Sequence, residues 1–274
     1  MKPSIVCTLV AVVFLFVGLA PQASGTCINP NSILHATYGW LADHALGVAG
    51  NSKTPKIGDF QPFVQVGHLT FDGNGNFSGA HDTGAGGILI PHVDSGTYSV
   101  NSDCTTGVIS FASGIGFKAS IAITSGGQEI KFVSATSGGV NSGTLRLMTA
   151  APCSASTLSG NSYGYASHGF VGVGSGNSFP RMGGFVPFAD AGQISFQADG
   201  SVSGVDNQNF GGVVIPGQPI VGTYSVNSDC TGATTMTIAG VDSSWHFVIL
   251  QGADQIIFVA TPTGFVWAGT LTKD

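Results

Sequence analysis

The stretch at 96–104 reads GTYSVNSDC, and the same nine residues return at 222–230. Working outward from this pair exposes a much larger duplication. Cys27 precedes Cys104 by 77 residues, and Cys153 precedes Cys230 by 77. YGW at 38–40 matches YGY at 163–165, GHLTF at 67–71 matches GQISF at 192–196, and GGILIP at 86–91 matches GGVVIP at 211–216. EIKFVSAT at 129–136 matches QIIFVATP at 255–262, and GTLRL at 143–147 matches GTLTK at 269–273. The offset stays at 125 to 126, so two units of about 125 residues follow one another with almost no insertion, meeting near 150–152. A period this long is a domain duplication rather than a solenoid repeat.

Each unit reads as strands. In the first, runs at 34–40, 62–71, 76–81, 95–100, 107–112, 116–124, 128–135 and 142–148 are separated by DGNGN, GAGG and SGG turns. Comparing copies assigns the faces. Phe63, Gln65, Gly67, Leu69 and Phe71 correspond to Phe188, Asp190, Gly192, Ile194 and Phe196, a mainly apolar row. The alternate positions His68 and Thr70 correspond to Gln193 and Ser195, a polar row. Such alternation is the mark of a half-buried antiparallel strand. Composition agrees: the chain has 42 glycines, only 8% charged residues and a single glutamate, Glu129, too few long charged side chains to cover solvent-facing helices. The fold predicted is all-β, two tandem antiparallel eight-stranded up-and-down barrels, with a β-sandwich as the alternative.

Residues 1–25 have the layout of a secretory signal peptide: Lys2, an apolar run from Ile5 to Ala20, then small and polar residues. The expected organisation is therefore a signal peptide at 1–25, a barrel at 26–150 and a barrel at 151–274, in a secreted protein, extracellular or periplasmic, with no integral membrane span after cleavage. In an exported chain, four cysteines at matched spacing predict disulfides, and the repeat favours Cys27 with Cys104 and Cys153 with Cys230, so that each unit closes on itself. The formal charge of -6 without any basic cluster argues against a nucleic-acid partner.

Chemistry is harder to read. His35, His44, His68, His81 and His92 crowd the first unit near Asp72, Asp82 and Asp94, whereas the second holds only His168 and His246. None shows a metal-ligand spacing, so no metal or cofactor is expected. DGNGN at 72–76 opens like a calcium loop, but Phe77 and Thr83 stand where that loop needs Gly and Glu; a hairpin turn is expected instead. No nucleophile elbow, zinc-protease helix, phosphate loop or dinucleotide fingerprint occurs, and no catalytic residue is assigned. Within the nonapeptide, Tyr98, Asn101 and Asp103 read first as strand end and turn. Trp40, Trp245 and Trp267 lie in strand-like runs where core packing is the usual role. The candidate ligand contacts are Tyr98, Tyr224, Trp40 and Trp245.

The succession of Cys153, LSGNSYGY at 158–165, QADGSVSG at 197–204 and GTYSVN at 222–227 resembles the order of elements in secreted eight-stranded barrels of the lipocalin and avidin kind. It is also similar to bacterial exported repeat proteins of unassigned function with Gly-Thr-Tyr and Asp-Cys-Thr signatures. The resemblance implies a barrel whose interior is filled or holds one small apolar ligand. It transfers no ligand-contacting residue. A non-enzymatic binding protein is the leading expectation; an isomerase- or cyclase-type barrel enzyme using the first unit's His and Asp, and a cell-surface interaction protein, are the alternatives.

Overall fold

The computed structural model describes residues 27–48, 60–112, 117–136, 139–172 and 184–274, so the expected signal peptide lies outside the described residues. The first unit contributes β1 (Thr37–Val48), β2 (Phe60–Phe71), β3 (Asn76–Ala85), β4 (Ile88–Val100), β5 (Thr106–Phe111), β6 (Lys118–Thr124), β7 (Glu129–Ser134), β8 (Gly139–Val140) and β9 (Ser142–Leu147). The second contributes β10 (Asn161–Gly172), β11 (Phe185–Phe196), β12 (Ser201–Phe210), β13 (Val213–Val226), β14 (Thr231–Ile238), β15 (Val241–Asp242), β16 (Trp245–Ile249), β17 (Gln255–Ala260) and β18 (Phe265–Lys273).

Each β1-type strand is hydrogen-bonded on both edges, and this decides between barrel and sandwich. β1 pairs with β2 and, from Tyr38 opposite Leu147 to Leu41 opposite Thr144, with β9. β10 pairs likewise with β11 and β18. Sequence neighbours pair throughout, so both units are closed eight-stranded up-and-down barrels, with β8 and β15 as two-residue spurs. Closure covers both edges of most strands, but the β3–β4 and β12–β13 hairpins run past it, so that 88–94 of β4 and 213–218 of β13 are paired on one side alone among the described residues. The β3–β4 and β12–β13 hairpins turn on Gly86-Gly87 (φ 58° and 79°) and Gly211-Gly212 (φ 56° and 97°), consecutive left-handed positions where a side chain would strain the backbone.

One end of each barrel is sealed by the repeated nonapeptide. Disulfides join Cys27 to Cys104 and Cys153 to Cys230, with Cα separations of 5.9 and 5.0 Å. The buried Tyr98 hydroxyl lies 2.9 Å from the carbonyls of Asn31 and Leu34 and donates to them, tying down the segment before β1. The Tyr224 hydroxyl also lies against two carbonyls, that of Ala155 before β10 and that of Gln197 just after β11. Asn101 donates to Thr106 and Asn227 to Thr231, and Asp103 and Asp229 accept from the backbone N–H groups of Thr105 and Thr231. Beneath lies a layer of edge-to-face rings, Tyr38–Phe71–Tyr98 in one barrel and Tyr163–Phe196–Tyr224 in the other, with centroids 5.0 to 5.6 Å apart.

The outer face of β2 departs from simple alternation. His68 and Thr70 point outward and polar as expected, but outward Val64 and Val66 are buried and, with Leu41 of β1, join the second barrel's apolar cluster. Their counterpart surface is β16–β18, where every residue of β17 from Ile256 to Ala260 is buried. The copies differ here as docking requires: outward Lys131 and Val133 on β7 are exposed, whereas Ile257 and Val259 on β17 are covered. Gly39 permits the contact, since a Cβ there would sit 2.6 Å from Leu250 Cδ2. Polar ties flank the apolar seam: the Arg146 side chain donates to Gln255, Gly264 N–H donates to Gly87 at 2.8 Å, and His246 Nδ1 meets Asp82 at 2.8 Å.

Candidate functional site

Past the aromatic layer, the interior of each barrel changes character. In the first, inward positions of β2, β3 and β4 place Gln65, His81, Thr83 and Asp94 together, with the exposed His92 stacked on His81 at the border of the cleft between the barrels. His81 stands directly opposite His92, and Gly79 opposite Asp94, so His81 and Asp94 are diagonal neighbours on the inner face. His81 Nδ1 lies 2.5 Å from Asp94 Oδ2, a charge-assisted distance, and its Nε2 lies 3.1 Å from the Thr83 hydroxyl and 3.2 Å from the Gln65 amide. Gln65 also donates to Thr83 and accepts from Asn141, both at 3.2 Å. The His81 ring packs on Trp40 at 4.8 Å and stacks on His92 at 4.7 Å. Burial, then the neighbouring His81, holds the His92 pKa below the usual histidine value, with Asp94 and Asp82 pulling the other way.

The second barrel puts different groups in the same place. Asp190 replaces Gln65, Asp206 replaces His81, and Ile220 stands where Asp94 would be needed. Ser167 lies directly opposite Asp190 and Gly192 opposite Asp206, so the two carboxyls are again diagonal neighbours across adjacent strands. The Tyr165 ring crosses over Gly192, where a Cβ would approach it to 2.9 Å. Asp190 is 5% and Asp206 0% exposed. Ser167 donates to one Asp190 oxygen; the other is unpartnered. Tyr165 and Gln208 lie beside Asp206 without making a well-formed hydrogen bond to either of its oxygens. The Tyr165 hydroxyl and the indole N–H groups of Trp245 and Trp267 are also buried and unpartnered. None of the described lysines or arginines pairs with these acids. Burial pushes Asp190 up to about 8 against the Ser167 hydrogen bond, the neighbouring Asp206 adding to the rise; burial also raises Asp206.

These positions sort the residues singled out from sequence. Tyr98 and Tyr224 lie at the sealed ends with their hydroxyls engaged by main-chain carbonyls. Trp40 and Trp245 lie deeper, packed in the cores and bordering the polar layers: Trp40 on His81, Trp245 at 5.5 Å from Tyr165 and 4.0 Å from Phe258. Ligand would reach any of the four only from inside a barrel. His68 lines a cleft of about 270 Å³ between the barrels with Asp82, His92, Asp229 and His246. His35 lies outside both interiors, exposed near the first sealed end, and the side chain of His44 lies outside the described residues. Asp72 accepts hydrogen bonds from the backbone N–H groups of Asn74 and Asn76, so DGNGN is a turn. Among the described residues no three His, Cys, Asp or Glu side chains converge as metal ligands.

Asp190 and Asp206 are not among the candidate contacts that the sequence suggests. The signal was present: Asp190 stands within an otherwise apolar inward row, where an acid has no cause to sit unless the interior is polar at that height. The interior of the first barrel is tightly filled, with a void of only about 10 Å³ among Trp40, Phe111, Phe117 and Phe132. A wider cleft of about 680 Å³ runs between the barrels, lined by Glu129, Arg146, Asp254 and Lys273. Among the described residues no helix is long and apolar enough to cross a membrane.

No family profile matches the chain, and no curated protein matches it. Among solved structures it is similar to transferrin binding protein B from serogroup B Neisseria meningitidis, with a TM-score of 0.30 and 7% identity over 87% of this chain and 76% of that one. A mutant of transferrin binding protein B from Haemophilus parasuis gives 0.31 and 8% over 86% and 76%. CghA gives 0.27 and 9% over 87% and 88%. At such TM-scores none of these likenesses bears on ligand or activity, which rest on this chain's own residues.

Proposed function

We propose that the chain is an exported, non-enzymatic binding protein that takes a small ligand into the interior of its second barrel. The observation that carries this reading is the group of buried, unpartnered polar atoms on Asp190, Asp206, Tyr165, Trp245 and Trp267. Buried polar groups are nearly always hydrogen-bonded, because an unmet one costs about 1 to 3 kcal/mol, so a ligand that opened this closely packed interior would gain by meeting several of them. The closed up-and-down topology supports it, as it is the one that lets lipocalin- and avidin-type barrels hold a single ligand. Two intact disulfides support export. The apolar ligand expected from sequence becomes one with apolar faces and polar groups, since hydrocarbon alone would leave the carboxyls unmet.

Native mass spectrometry of protein purified from its source tests this reading. A retained small-molecule mass, released on denaturation and protecting Trp245 and Trp267 fluorescence from quenching, is expected. A bare protein mass, with no thermal shift across a small-molecule library, removes the reading.

One observation favours a catalytic alternative. Asp94, His81 and Thr83 form a carboxylate–imidazole–hydroxyl relay in the first barrel, the arrangement that activates a hydroxyl nucleophile. Hydrolysis of activated acyl esters that is lost in Thr83→Val and His81→Gln would support it; activity unchanged by both would dismiss it.

A further inference from the structure

We propose that copies of this chain associate head to tail, the outer face of β11–β13 on one copy docking on β5–β8 of the next as the first barrel docks on the second within the chain. The seam inside the chain joins two different surfaces, the outer face of β2–β4 and that of β14–β18. Duplication therefore leaves one unused copy of each: β11–β13 on the second barrel and β5–β8 on the first. An interface of this kind, with unlike halves, repeats from one molecule to the next.

The receiving surface is repeated strand for strand. On the second barrel the seam covers an outward row in which Ala233 stands opposite His246 and His246 opposite Val259. Val266 of β18 faces the same way, two residues from Ala268, the partner of Val259. Val259 and Val266 are 1% and 0% exposed, and a Cβ on Gly84 of the first barrel would lie 3.5 Å from Val259 Cγ2. The first barrel builds the equivalent row from Val108, Ser120 and Val133, with Val140 at the place of Val266. The same two valines are there 53% and 59% exposed.

The docking surface is repeated as well. Leu89 of β4 packs against the second barrel's apolar cluster, and Ala80 of β3 lines the cleft beside it. Strand register places Val214 at the position of Leu89 and Val205 at that of Ala80, where they are 64% and 51% exposed. With Val221, the next outward position on β13, the two unused surfaces carry six of the twelve large apolar side chains exposed among the described residues. Clustering of this kind marks an interaction surface, and because both halves of the contact lie on this chain, the partner that fits is another copy. The polar tie changes in step, His246 and Asp82 becoming Ser120 and Asn207, an uncharged pair. At the centre, Ala189 and Ala191 replace Val64 and Val66, and Lys131 replaces Ile257. The contact between copies therefore buries less apolar area than the seam and lacks its tether, so association is reversible and depends on concentration.

Light scattering of the full protein over a concentration series tests this. A weight-average mass that rises above the monomer with concentration is expected. Val205→Asp with Val214→Asp removes one surface, and Val108→Asp with Val133→Asp removes the other. All four side chains are exposed, so circular dichroism should show an unchanged fold; Val205→Ser with Val214→Ser and Val108→Ser with Val133→Ser serve if the acids disturb it. Each double variant alone should lose the concentration dependence entirely. An equimolar mixture of the two should recover a dimer and nothing larger, because one intact surface of each kind remains and the contact cannot propagate. Wild-type protein that stays monomeric at every concentration overturns the proposal. So does an association that persists in either double variant, or a mixture that stays monomeric while the wild type associates.

Discussion

The two barrels build their sealed ends from the same parts and part company a few residues further along their axes. Each closes with a disulfide, a tyrosine donating to two carbonyls and an Asn-Ser-Asp turn. Above that floor, the first barrel pairs Asp94 with His81, while the second has Ile220 in place of Asp94 and Asp206 in place of His81, which sets Asp190 and Asp206 side by side. Duplication thus preserved what folds the unit and released what fills it. The conserved end carries constraints that act within one copy, such as turn geometry and disulfide distance. The diverged layer is polar and buried, where a single exchange changes charge balance and hence what the interior accepts.

The contrast can be broken most severely from the first barrel. His81→Ala should strand Asp94 as a buried, unpaired carboxyl and destabilise the protein by about 3 to 5 kcal/mol, read from urea unfolding at pH 7. His81→Asn with Asp94→Asn should recover much of that loss, and an equal loss in the double variant would show that the pair is not the cause. In the second barrel the same logic reverses sign. Asp190 is pushed from its ordinary 3.8 up to about 8, so the folded state binds the proton more tightly than the unfolded chain. Without ligand, stability is expected to fall as pH rises from about 4 through about 8. Asp190→Asn should flatten that slope, and an unchanged Tm profile would remove the claim of a charged penalty there.

A smaller effect tests whether the barrels act as one body. Gly39→Val would push a side chain into Leu250, Val248 and Ile257, and an overpacking cost of about 1 to 3 kcal/mol is expected. Differential scanning calorimetry should then separate one transition into two. The weakest tie is His246 to Asp82, whose hydrogen bond raises the His246 pKa above 6.5 against partial burial. With its side chain 46% exposed, its contribution is less than about 1 kcal/mol. That contribution is full below pH 6.5 and fades as pH rises through the raised value, so His246→Ala should lower Tm at pH 5.5 and hardly at pH 9.

Much of this was legible before any coordinates. Cysteine spacing and the nonapeptide pointed to the pairing that the structure shows, and alternation in Phe63–Phe71 placed the inner face correctly. The site was less legible. His81 and Asp94 lie 13 residues apart and meet only through the β3–β4 register, so histidine crowding was visible but its pairing was not. Asp190 was aligned with Gln65 in an inward row, yet its partner Asp206 becomes adjacent only through the β11–β12 ladder. Outward Val64 and Val66 and the unbroken apolar run of β17 carried the inter-barrel seam, which a reading of each unit by itself treats as surface.

The amino-acid order by itself determined the strands, their turns, the duplication and the disulfide closure of each copy, because these follow from period-two patterning, left-handed glycines and cysteine spacing within a local stretch. Tertiary structure alone decided which polar side chains inside the barrels find partners and which outward faces are covered. Those outcomes depend on cross-strand register and on the docking of one barrel against the other, where groups far apart in the chain are brought within hydrogen-bond or van der Waals distance and exchange water for each other.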